Sequence, residues 1–263
     1  MSAEPMGEVL ALIPARGGSK SIPRKNLATM AGHPLLAWSI AAARESARVS
    51  RIVVSTDDEE VRETALRYGA LVPFLRPADL AQDDTPDLPV FQHAVTWFAR
   101  EWGYRPELVV QLRPTSPLRP RGLVDEAIAL LEAHPEADSV RSVTAPTQNP
   151  YKMWRIEGPY LRPLVDEGIV EAYNMPRQRL PQTYWQTGHL DVVRRATLLK
   201  GSMSGGRILP YVVEPRFALD IDTPEQWAFA DWVLGRTKLP AVVPSEPLPL
   251  GPASERSRLG AQP

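Results

Sequence analysis

Glu8–Asn26 reads EVLALIPARGGSKSIPRKN. Its opening, EVLALI, is apolar almost throughout and does not alternate. A short run of that kind predicts a strand buried on both faces, as in a parallel sheet. A polar loop follows, Pro14–Asn26, with adjacent glycines and the cations Arg16, Lys20, Arg24 and Lys25. Gly17 and Gly18 allow a tight turn and close approach of backbone to a ligand. Backbone N–H groups with Lys and Arg after a buried strand make a polyphosphate cradle. The loop matches neither Gly-Lys-Ser/Thr opening a helix nor Gly-x-Gly-x-x-Gly. A solvated basic loop is the plainer reading; its position after strand one favours the cradle.

Outward from this stretch, strands and helices alternate. Helical patterns cover Pro34–Arg48, Asp57 or Asp58 to Tyr68, Leu88–Trp102 and Gly122–Ala133. Strands are expected at Arg51–Thr56, Leu71–Phe74, Glu107–Leu112 and Ser139–Val143. This order predicts an α/β fold with a Rossmann-like, doubly wound, mostly parallel sheet. Ligands in such a sheet bind beyond the carboxyl ends of the strands. The alternation breaks near Pro146, and residues 146–185 read as an arm rich in Pro, Tyr and Arg. Thr187–Val193, Gly206–Val213 and Thr223–Leu234 return to strand and helix patterns. The domain therefore spans 8–239. Residues 1–7 and the Pro/Ser-rich 240–263 read as disordered ends.

Composition narrows the function. The 263 residues carry 30 basic and 31 acidic side chains, for a net charge of −1, which argues against a nucleic-acid partner. Cysteine is absent, so disulfides, thiolate metal sites and a cysteine nucleophile are excluded; a reducing cytoplasm suits such a chain. The N-terminus lacks a basic region and a long apolar run, so no signal peptide is expected. No apolar stretch is long enough to span a membrane.

Asp220-Ile221-Asp222 spaces two carboxylates i, i+2, which face one way on an extended segment. Such a pair can hold Mg²⁺ and leave positions for substrate phosphates. Taken alone, the plainer reading is an acidic turn capping the helix that begins near Thr223-Pro224. His33, His93, His134 and His189 show no ligand spacing.

Taken together, IPARGGSKSIPRKN (Ile13–Asn26), VSTDDEEV (Val54–Val61), VPFLRPADLAQDDTPD (Val72–Asp87), LRPTSPLR (Leu112–Arg119), RQRLPQTY (Arg177–Tyr184) and LDIDTPEQW (Leu219–Trp227) resemble the acylneuraminate cytidylyltransferases, the CMP-sialic acid synthetase family. The resemblance covers about residues 8–234, with Ser21 in place of a usual Gly. It implies a nucleotide-diphospho-sugar transferase fold and transfer of CMP from CTP to the anomeric hydroxyl of a sialic-acid-like nonulosonic acid, with Mg²⁺ and release of pyrophosphate. By the same resemblance, Arg16 and Lys25 contact the triphosphate, and Gly17, Gly18, Ser19 and Lys20 share their loop. Asn26 reaches the nucleotide sugar, Arg76 lies near the base, and Asp84-Thr85 lie near the nucleotide. Asp220 and Asp222 hold the metal.

The acceptor side departs from the family. Arg113 stands where Leu-Gln-Pro carries Gln, and Thr187-Gly188-His189-Leu190-Asp191 replaces Asn-Gly-Ala-Ile-Tyr. Arg113, Thr115, Ser116, Gln186 and His189 are expected at the acceptor. So are Arg177 and Gln178 of the arm, which in this family crosses to a twin subunit; a homodimer is implied, with a purely structural arm as the alternative. Two other readings stay open: a sugar-1-phosphate nucleotidyltransferase using GTP or CTP, with Arg113 meeting the phosphate, and a non-catalytic nucleotide-sugar-binding protein.

Overall fold

A computed structural model describes residues 7–236 and 239–248. In chain order the elements begin with strand β1 (Val9–Pro14), the small β2 (Thr29–Met30) and β3 (His33–Pro34), helix α1 (Leu35–Glu45), β4 (Arg51–Ser55) and α2 (Glu59–Arg67). Next come α3 (Asp87–Glu101), β5 (Leu108–Gln111), α4 (Leu123–Glu132) and β6 (Ser139–Thr144). The hairpin β7 (Trp154–Glu157) and β8 (Tyr160–Pro163) precedes β9 (Trp185–Arg194), α5 (Arg195–Leu199), β10 (Ile208–Val212) and α6 (Pro224–Arg236).

Six strands form the main sheet in the order β10-β6-β9-β5-β1-β4. β1 pairs in parallel with both β4 and β5, and β10 pairs in parallel with β6. Only β9 runs against its neighbours, β5 and β6. The sheet is therefore mostly parallel. β1 shows why: Val9, Ala11 and Ile13 pack in one apolar layer with α1, α2 and α4, while Leu10 and Leu12 pack in the other with α3 and α5. A strand covered on both faces needs apolar side chains on both, which removes the alternation.

From β1 the chain goes through α1 to β4 on one side, and α3 then carries it to β5 on the other. The winding reverses there, so the loops after β1 and β5 diverge and leave a crevice at the carboxyl edge. Asp58 caps α2, its carboxylate accepting from the N–H groups of Glu60 and Val61.

Three expectations change. Leu71–Phe74 is not a strand; only isolated parallel bridges, Val53 to Leu71 and Thr56 to Leu75, continue the sheet beyond β4. Pro73 has no N–H to extend the ladder. Residues 146–184, read as an aperiodic arm, hold the β7–β8 hairpin and a small core of Tyr151, Ala172 and Leu180. Trp185 and Gln186 already belong to β9, opposite Thr144 and Val143.

The chain end also differs from the expected disorder. Ala241 bridges Pro120, the Val242 N–H donates to the Arg119 carbonyl at 2.9 Å, and both side chains are buried. Residues 249–263, and 1–6 at the other end, lie outside the described residues. Val242→Asp is expected to cost about 1–3 kcal/mol for an unpaired buried carboxyl. In a chain of this size that is roughly 2–4 °C of Tm per kcal/mol. Thermal unfolding checks it; an unchanged Tm would mean that the segment does not dock.

Candidate active site

The loop after β1 is built against α2. The Ala15 N–H donates to the Ser55 carbonyl at 3.0 Å, and the Gly17 N–H to Asp57 Oδ1 at 3.0 Å. A Cβ on Gly17 would lie 2.6 Å from the Asp58 Cβ, so only glycine fits. Asn26 closes the loop by donating from Nδ2 to the Arg16 carbonyl at 2.9 Å. Arg24, with φ of 51°, turns away to Asp58 and Glu60 at 3.1 and 2.8 Å. It therefore anchors the loop rather than facing a ligand. Gly17→Ala is expected to lower both stability and turnover, by about 1–3 kcal/mol in stability; denaturant unfolding and steady-state rates check it.

A cavity of about 410 Å³ opens at the carboxyl edge between this loop and the loop after β5. Arg16, Gly18, Ser19, Lys20, Lys25, Asn26, Arg76, Thr85, Arg113, Thr115 and Asp222, all expected from sequence, line it. Gln82, Asp83 and Asp87 add to the wall. Gly17 supports the loop from behind, and Asp84 does not line the cavity.

The cations are held in place. Arg16 and Lys20 converge on Asp83 at 2.7 and 2.6 Å. The Lys20 ammonium, opposed by burial and helped by Arg16, holds the Asp83 carboxyl below its ordinary pKa. Lys25 Nζ donates to the Ile221 carbonyl at 2.8 Å and meets Asp222 at 3.3 Å. Arg76 is buried; its Nε donates to Ser55 Oγ at 3.1 Å and its NH2 to the Ser55 carbonyl. Burial pushes its guanidinium pKa down.

Asp220 and Asp222 straddle buried Ile221, whose N–H donates to the Thr115 carbonyl at 2.9 Å. Asp222 lines the cavity and is 66% exposed, whereas Asp220 meets Ser116 Oγ at 3.4 Å outside the lining. The described residues hold no cluster of three or more His, Cys, Asp or Glu suited to a metal. Asp222 in the lining and Asp220 just outside it are hard oxygen donors beside a cationic cavity, a donor set that would fit Mg²⁺.

The acceptor residues divide. Arg113 and Thr115 face the cavity. His189 does not. It is buried, its Nε2 lies 2.8 Å from the Phe217 carbonyl and 3.2 Å from that of Leu118, and burial pushes its pKa down to about 4. It joins two loops from within the core. Gln186 accepts from Arg141 at 3.2 Å, and Arg177 of the arm donates to the Pro146 carbonyl at 2.7 Å. Neither these nor Gln178 lines the cavity of this chain.

Sequence reading missed Arg119 and Arg141. Arg119 is fully buried and donates to the carbonyls of His189 and Arg113 at 2.8 and 2.7 Å; its remaining nitrogen has no partner among the described residues. Burial pushes it down to about 9, opposed by Asp220. Arg141 donates to buried Asp191 at 2.8 Å. An acid in the apolar run HLDVV was the available signal that Asp191 needs a buried partner.

A family model described as cytidylyltransferase matches residues 10–153. The post-translational flagellin modification protein B of Campylobacter coli is 27% identical over 240 residues, 90% of this chain and 99% of that protein. The pseudaminic acid cytidylyltransferase of Campylobacter jejuni is 48% identical over 86 residues, 33% of this chain and 37% of that one. This second match spans well under half of the relative. The solved structure of CMP:2-keto-3-deoxy-manno-octonic acid synthetase complexed with CTP shares the fold, with a TM-score of 0.64 at 17% identity, covering 87% of this chain and 99% of that chain. With the family model matching residues 10–153, more than half of the chain, the chain belongs to the cytidylyltransferase family.

Proposed function

We propose that this chain transfers CMP from CTP to the anomeric hydroxyl of a nonulosonic acid and releases pyrophosphate. The observation that carries the reading is the cavity at the β1/β5 reversal, which Arg16, Lys20, Lys25 and the carboxylate of Asp222 line together. The acceptor oxygen forms the new bond to the α-phosphorus, the bond to the β-phosphate oxygen breaks, and the hydroxyl proton leaves to solvent. Arg16, Lys20 and Lys25 bind the phosphates and offset the charge growing on the pyrophosphate. The Ser19 and Gly18 segment wraps the same groups, and Arg76 and Thr85 border the base side. Asp220 and Asp222 would hold Mg²⁺, which when bound neutralises phosphate charge. The similarity to a pseudaminic acid cytidylyltransferase supports a nine-carbon acid as acceptor.

A homodimer accompanies this reading. The arm exposes Ile156, Tyr160, Leu161 and Val170, side chains that a second copy would cover. Arg177 and Gln178 could then reach a twin's cavity. The lack of cysteine and the need for CTP suit a cytoplasmic reaction, and no described helix is long and apolar enough to cross a membrane. Pyrophosphate release with each of the four nucleoside triphosphates, Mg²⁺ and a panel of nonulosonic acids tests the activity. Turnover with CTP is expected; turnover with GTP alone would overturn the nucleotide assignment.

A further inference from the structure

Three adjacent strands place a polar row on the α3 face of the sheet, at its carboxyl edge. Gln111 of β5 and Arg141 of β6 both stand directly opposite Asp191 of β9. Arg113, two residues beyond Gln111, lies on the same face. Its NH2 donates to Asp87 Oδ2 at 2.7 Å, and its NH1 lies 3.4 Å from Asp191 Oδ2. Gln111 donates to the same Asp87 oxygen at 2.8 Å. Asp191, with a side chain only 2% exposed, is gripped from its other side by Arg141 at 2.8 Å. Arg141 is itself fixed by Ser204 Oγ at 2.7 Å.

Arg113 and Asp87 line the cavity; Asp191 and Arg141 stand behind them. Counted as charges, the quartet balances: two guanidiniums against two carboxylates. A guanidinium already flanked by two carboxylates keeps its remaining N–H donors for a ligand but has little net field left to draw a dianion. We propose that Asp191, together with Asp87, determines acceptor charge selectivity by holding Arg113 as a neutralised, oriented donor, so that the site takes a monoanionic sugar acid and discriminates against phosphate monoesters. Asp191 acts through Arg113 and is a positioning residue. The inference rests on the reading above that the Arg113 end of the cavity receives the acceptor.

Calorimetric titration of N-acetylglucosamine 1-phosphate and of N-acetylneuraminic acid into the full chain tests it. The triphosphate loop is first filled with the α,β-methylene analogue of CTP, and binding of that analogue reports on the proposed function alone. Removing one carboxylate leaves the quartet with a surplus positive charge. Asp191→Asn should then tighten the phosphate ester about tenfold relative to the acid. The readout is the variant-to-wild-type ratio, which stands whether or not the analogue binds. Asp87→Asn, at a partly exposed position, should move the ratio the same way and covers the case in which Asp191→Asn fails to fold. A purely structural role would lower Tm and leave the ratio alone. An unchanged ratio in the folded variants, or one shifted toward the acid, overturns the proposal.

Discussion

Asp222→Asn is expected to lower kcat by about three orders of magnitude, on the order of 4 kcal/mol of transition-state stabilisation, with Tm preserved. Three carboxylates line the cavity, and two are already committed. Asp83 is tied to Arg16 and Lys20, and Asp87 to Arg113 and Gln111. Among the described residues the Asp222 carboxylate meets only Lys25, at 3.3 Å, and it is the most open to solvent of the three. It is also held by backbone, because Ile221 is buried and its N–H is bound to Thr115. The amide keeps that shape and removes the charge. Turnover assays across Mg²⁺ concentration, with unfolding curves, separate this from a folding defect. Near-normal turnover would remove the metal assignment.

Lys25→Ala is expected to raise the KM for CTP about tenfold and to lower kcat about a hundredfold. Its side chain is nearly buried, and its ammonium spans the phosphate loop and the 220–222 strip through Ile221 and Asp222. Truncation therefore unties the strip from the loop and, on the proposed role, removes a phosphate contact. With the proposed role, in which the ammonium acts on charge that grows as pyrophosphate departs, kcat is expected to fall more than KM rises. Initial-rate kinetics with CTP and acceptor varied separately check the split. An effect confined to the acceptor KM would show that this loop does not hold the triphosphate.

What could be read from sequence follows the range of the forces involved. β1 and its loop were legible because burial on both faces and the glycine–cation pattern are local. The cap of α2 was legible to within one residue; structure assigns it to Asp58 and gives Asp57 to the Gly17 N–H. Arg24 was grouped with the phosphate cations because no local signal tells a ligand-facing arginine from one turned back to a helix start. The quartet was hidden. Its members meet only through the register of β5, β9 and β6 and the start of α3, with Arg113 and Arg141 reaching Asp191 from 78 and 50 residues away. His189 failed as an acceptor residue for the same reason. Whether that strand position faces the core or the crevice depends on pairing, which sequence spacing does not supply. The docked segment at 241–242 looked structureless because its Pro-rich composition masks two buried apolar side chains.

The product's phosphorus spectrum tests the central claim most directly. ³¹P NMR of a reaction containing the wild-type chain, CTP, Mg²⁺ and a nonulosonic acid should show pyrophosphate together with a single uncoupled phosphodiester resonance, the signature of a CMP-sugar. Two mutually coupled resonances, formed only when a sugar 1-phosphate is supplied, would make the product a nucleoside diphosphate sugar and contradict the account.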